Sequence, residues 1–148
     1  MDKAKFVDSV NKAFSELRIR SVSLSTEGGY TEDCQTLVFS QERGCKINVF
    51  IYLKPDNFGC EVHININNKV NDFIIRIGTS SNMAALEKIC NQTKTEKLSD
   101  EAKDKIRTSI NYLLASYLQT NPHNPEELAL LKKIIDIIFD SYVKACEP

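Results

Sequence analysis

Between Cys45 and Ile77 the chain alternates apolar and polar residues through three successive runs. A period of two is the signature of a half-buried strand, and here it constrains the fold more than any other feature. The first run sets Ile47, Val49, Ile51 and Leu53 against Lys46, Asn48, Phe50 and Tyr52. The second sets Cys60, Val62, Ile64 and Ile66 against Glu61, His63, Asn65 and Asn67. The third sets Phe73, Ile75 and Ile77 against Asp72, Ile74 and Arg76.

Register follows from the same pattern, because a slip of one residue turns every side chain to the opposite face. Odd-numbered residues of the first strand must oppose even-numbered residues of the second. A four-residue connection, Pro55 to Phe58, satisfies this and pairs Leu53 with Cys60, Ile51 with Val62 and Val49 with Ile64. The next hairpin pairs Ile64 with Phe73 and Val62 with Ile75. The outer face then carries the rows Tyr52/Glu61/Arg76, Phe50/His63/Ile74 and Asn48/Asn65/Asp72. Glu61 beside Arg76 is a favourable cross-strand charge pair.

The flanks read as further strands and helices. Phe6, Val7, Val10, Ala13, Phe14 and Leu17 form one stripe of a helix from Asp2 to Leu17, for which the sheet is the available partner. Arg18–Thr26 and Gln35–Ser40 are strand candidates, separated by a turn at Glu27-Gly28-Gly29-Tyr30. Gln41 to Gly44 is a hairpin connection in which Gly44 can take positive φ. Thr79 to Asn82 caps a short helix holding Met83, Leu86 and Ile89, and Asn91 to Leu98 is a polar loop. Ser99 caps a helix with the stripe Ile106, Ile110, Leu113, Leu114 and Tyr117. Asn124, Pro125 and Glu127 start the last helix in capping-box spacing. That helix is apolar over most of its girth, as expected if it packs on two sides or lies in an oligomer interface. The expected architecture is a single α+β domain over residues 1–148: an antiparallel β-meander of four to five strands packed in two layers against an N-terminal helix and three C-terminal helices.

Composition narrows function mainly by exclusion. A net charge of −1 provides no basic field for phosphate backbones, so no nucleic-acid partner is expected. The two aromatics on the outer face suit base stacking, but the basic motif that accompanies them in RNA-binding sheets is missing. Basic residues from Lys88 to Arg107 are interspersed with acids, which is a solvated mixed-charge surface. No stretch approaches the ~20 apolar residues of a membrane span. The first residues carry charges and no signal-like apolar run, so a cytoplasmic protein without a membrane partner is expected. Five cysteines without a C-x-x-C pair read as reduced thiols, mostly core residues.

Nucleotide-loop, serine-hydrolase and zinc-helix motifs are missing. His63 and His123, the two histidines, fall on a strand face and in a helix–helix turn, which suggests no shared metal site. Cys45 and Cys60 point away from His63 in this register, which argues against a Cys–His couple for either; Cys34 stays open. No catalytic residue, metal or cofactor is therefore assigned.

The candidate site is the outer-face patch of Phe50, Tyr52, Glu61, His63, Ile74 and Arg76. Aromatic residues and arginine on an accessible face suit protein recognition. Under a covering helix, Phe50 and Ile74 would instead be second-layer core. The expected function is a non-catalytic protein-binding module of adaptor, chaperone, inhibitor or immunity type. Its partner would be another protein at the outer sheet face, with a homodimer through the C-terminal helix as a second surface. The alternative is a small-ligand-binding protein or minor enzyme with His63 as acid–base group.

Overall fold

The computed structural model describes residues 2–25, 34–41, 44–54, 57–78 and 99–147. Helix α1 spans Lys3–Glu16, and strands β1 to β5 span Arg20–Ser25, Cys34–Gln41, Cys45–Lys54, Asn57–Ile66 and Phe73–Gly78. Helices α2 (Asp100–Thr120) and α3 (Pro125–Ala145) follow. The strand backbones pair antiparallel in sequence order. Side chains are described on both faces of the three-strand antiparallel unit β3–β4–β5, and this unit carries the described core of the sheet.

The expected architecture is corrected in its helices and in how they meet the sheet. Three helices, not four, occur among the described residues, and the C-terminal set is a pair. The short helix and loop expected between Thr79 and Leu98 lie outside the described residues, as does the turn at Glu27 to Tyr30. Nor is the sheet the main partner of α1. The helix lies chiefly along α3 and meets the sheet mainly at β1. Phe6 of α1 meets Tyr142 of α3 edge to face at 6.5 Å. The Asp2 backbone N–H donates to the Ala145 carbonyl at 2.7 Å, which fixes the start of α1 to the end of α3.

This arrangement explains the wide apolar girth of α3. Leu131, Ile134, Ile135, Ile138, Phe139, Tyr142 and Ala145 are all buried. They belong to one cluster with Phe6, Val10 and Phe14 of α1, Ile106 and Ile110 of α2, and Ile47, Val62, Ile64 and Ile75 of the sheet. The Arg107 guanidinium covers the Phe139 ring at 4.2 Å and pairs with Asp136, closing the α2–α3 seam with a cation–π contact. Each fully buried Ile or Phe contributes roughly 1.5–3 kcal/mol of transfer free energy. On α2 the expected stripe needs one correction: Leu113 is 42% exposed, and Tyr112 beside it 75%.

The β3–β4 register also differs from expectation, by two residues. Ile51 opposes Cys60, Val49 opposes Val62 and Ile47 opposes Ile64. Lys54 pairs with Asn57, so two residues rather than four separate the strands. A shift of two preserves which face each side chain occupies, so apolar patterning cannot distinguish the two registers. The β4–β5 pairing does match, with Val62 opposite Ile75, Ile64 opposite Phe73 and Glu61 opposite Arg76.

A tight approach of Gly44 to Asn67 fixes the sheet end nearest α3. Gly44 has φ +91°, and its carbonyl accepts from the Asn67 backbone N–H. Asn67 and Asn68 are themselves left-handed, at φ 58° and 54°, a conformation asparagine tolerates. A Cβ on residue 44 would lie 2.7 Å from Asn67 Oδ1 and 3.2 Å from its Cα. Gly44→Ala should therefore lower stability by about 1–3 kcal/mol. Urea unfolding measures this, and an unchanged midpoint would show that the approach is not constrained.

Candidate functional site

Strands β4 and β5 place a polar network on the sheet face opposite the described helices. Glu61 is the centre of it. Its backbone partner is Phe50 on one side and Arg76 on the other. The Glu61 carboxylate lies 2.7 Å from His63 Nε2 through Oε1 and 3.4 Å from Arg76 Nε through Oε2. His63 Nδ1 faces Asp72 Oδ2 at 3.8 Å. Asn65 donates through Nδ2 to Asp72 Oδ1 at 2.6 Å and to the Lys69 carbonyl at 2.8 Å.

Exposure is graded along this network. The Glu61 side chain is 8% exposed, His63 17%, Asp72 33% and Arg76 47%. Desolvating a carboxylate costs several kcal/mol unless it is paired and hydrogen-bonded, and Arg76 and His63 supply that compensation. The result is a row of fixed charges whose outer end meets solvent.

The structure thus brings Glu61, His63 and Arg76 into one network and sets Ile74, half-buried, opposite His63. The two-residue shift replaces the expected rows. Phe50 rather than Tyr52 shares the Glu61/Arg76 row, Asn48 rather than Phe50 shares the His63/Ile74 row, and Tyr52 opposes Gly59. The Phe50 and Tyr52 side chains lie outside the described residues. Asp72 and Asn65, which the sequence pattern put on this face without a role, complete the network.

The described thiols have no part in it. Cys45 and Cys60 face the core at 2% and 0% exposure, and Cys146 is buried with them. Burial pushes the Cys45 thiol up to about 11 and the Cys60 thiol up to about 12, so both are protonated and non-nucleophilic near neutrality. The Cys34 backbone begins β2, and its side chain lies outside the described residues. Among the described residues no group of three or more His, Cys, Asp or Glu side chains could hold a metal ion. No described helix is long and apolar enough to cross a membrane.

A second polar cluster sits where the α2–α3 connection meets the β4–β5 connection, and sequence reasoning missed it. Glu127 is 6% exposed. It forms the capping box of α3: its backbone N–H donates to Asn124 Oδ1 at 2.8 Å, and its Oε1 accepts from the Asn124 N–H at 3.0 Å. Its Oε2 accepts from Asn67 Nδ2 at 2.7 Å, and Lys69 Nζ lies 3.6 Å from Oε1. Tyr117 donates to the Asn71 carbonyl at 2.9 Å, and its ring packs on Phe73 and stacks on His123. Capping-box spacing marked Glu127 as a helix start, but nothing local in sequence links it to Asn67, sixty residues away.

A groove of about 410 Å³ runs between α1 and α3. It is lined by acids (Asp8, Glu16, Asp140) and lysines (Lys12, Lys144) in alternation, as a solvated helix seam would be.

The second cluster generates a pH dependence. The Asn124 N–H, then the Asn67 amide, with Lys69 and His123 adding smaller contributions against desolvation, hold the Glu127 carboxyl below its ordinary range. A depressed folded value contributes stability above the unfolded carboxylate's value and loses it as pH falls through the folded value. The advantage of the wild type over Glu127→Gln should therefore be full near neutrality and disappear on acidification, in urea titrations at a series of pH values. A pH-independent difference would contradict a paired, ionised Glu127.

Neither a family model, nor a curated protein, nor a solved structure matches this chain.

Proposed function

We propose that the protein is a non-catalytic protein-binding module that engages another protein through the outer face of β3–β5. The observation carrying this reading is the Glu61–His63–Asp72–Arg76 network beside Ile74, on the face away from the helix layer. The three described helices share their core cluster with the inner-face residues Ile47, Val62, Ile64 and Ile75. No described helix takes the outer-face row into that cluster.

A prearranged row of charges suits recognition because little side-chain freedom remains to be lost on binding. The arginine at its exposed end and the aliphatic Ile74 next to it are residue types that anchor interfaces. An acid–base role for His63 has less support, because Nε2 is already committed to Glu61 within the face. The homodimer through the last helix also loses its motive, since α3 buries its apolar girth against α1, α2 and the sheet.

The test is capture from a lysate of the native host by the immobilised full chain, followed by titration of the captured protein. Ile74→Ala combined with Arg76→Gln should weaken capture at least tenfold while circular dichroism and the unfolding transition remain those of a folded chain. Tyr112→Ser with Leu113→Ser, on the exposed flank of α2, should leave it unchanged. Undiminished capture by a folded Ile74/Arg76 variant would remove the sheet face from the proposal.

A further inference from the structure

His123 has a buried side chain with one ring nitrogen outside any hydrogen bond among the described residues. Its side chain is 1% exposed, and Nδ1 has no hydrogen-bond partner among the described residues. The nearest acidic atom is Glu127 Oε1, at 4.0 Å. That is too long for a hydrogen bond and close enough for one to form with a small movement.

Hydrogen-bond accounting fixes the tautomer. The Tyr117 phenol carries one proton, and the Asn71 carbonyl 2.9 Å away can only accept it. Toward His123 Nε2, at 3.2 Å, the phenol oxygen must then be the acceptor, so Nε2 bears the ring hydrogen. In the neutral ring this leaves a lone pair on Nδ1, with the Glu127 carboxylate oxygen 4.0 Å away. Two acceptors face each other across the gap.

Glu127 is held as an anion in that position by the Asn124 N–H, the Asn67 amide and Lys69. The groups around His123 are thus Tyr117 from α2, Glu127 from α3, and Lys69 with the Asn71 carbonyl from the β4–β5 connection. Asp72 adds its charge near Tyr117, and burial first, then Asp72 and Glu127, push the Tyr117 phenol up, so it stays protonated.

We propose that His123 is a proton-operated latch between the α2–α3 connection and the capping carboxylate of α3. A proton taken from solvent onto Nδ1 converts the lone pair to an N–H donor. The Nδ1–H···Oε1 bond then closes the 4.0 Å gap. Because Oε1 also accepts from Asn124 and Oε2 from Asn67, closing the latch changes the hydrogen bonds at the start of α3 and at the end of β4 together. The latch is independent of what the outer sheet face binds.

The test is nitrogen-15 NMR of the imidazole rings and amides of the full chain from about pH 8.5 to about pH 5, across the range in which histidines titrate. With two histidines in the sequence, His63→Gln assigns the His123 ring signals. The neutral His123 ring should carry its hydrogen on Nε2. As the ring titrates, the Asn67 side-chain amide and the Asn124 backbone amide should shift with the same midpoint, and His123→Gln should abolish those shifts. A neutral ring protonated on Nδ1 would overturn the proposal. So would Asn67 and Asn124 signals that stay fixed while the ring titrates, or a ring still neutral at the pH where the chain unfolds.

Discussion

The carboxylate of Glu127 is the point on which the described fold is fastened. One oxygen caps α3 through Asn124 and the other receives the Asn67 amide at the end of β4. Asn67 can reach it because its left-handed backbone is held against Gly44, where no Cβ intervenes. Two chain segments distant in sequence thereby share one buried charge, the β4–β5 connection and the start of α3, and the Gly44 carbonyl ties the β2–β3 hairpin to the first of them through the Asn67 N–H. Removing that charge would leave orphaned donors at Asn67 and Asn124, which costs more than the net worth of either bond.

Fixing α3 in this way decides the rest of the packing. Its buried face runs from Leu131 to Ala145 and meets the sheet, α2 and α1 in a single apolar cluster. Helix α1 needs its apolar stripe covered, and α3 rather than the sheet does most of that covering. With the helix layer assembled on one side, the other side of β3–β5 keeps its polar rows, and Glu61, His63, Asp72 and Arg76 form their network there.

How much of this could be read from the residues depends on the range of the interaction. Alternation assigns faces correctly at the described side chains of β3–β5 because side-chain direction has a period of two, and the burial of Val49, Val62 and Ile75 follows from it. The same period made the β3–β4 register ambiguous by two residues, which moved Tyr52 out of the Glu61 row and put Phe50 there. The Glu61–Arg76 pair survived because it depends on the other hairpin. Helix caps were legible because Asn124 and Glu127 are three apart; the Glu127–Asn67 bond was not, since no local pattern reports it. The stripe of α1 was visible, but amphipathicity states only that a face must be covered and not by what.

The functional account rests on the outer face being where a partner sits. Cross-saturation from a bound, protonated partner onto the methyl groups of the deuterated full chain would locate the contact residue by residue. The account predicts the strongest attenuation at the Ile74 methyls, with Leu113 on α2 and Ile137 beside the α1–α3 groove unaffected. Attenuation concentrated at Leu113 or Ile137, with Ile74 untouched, would contradict it.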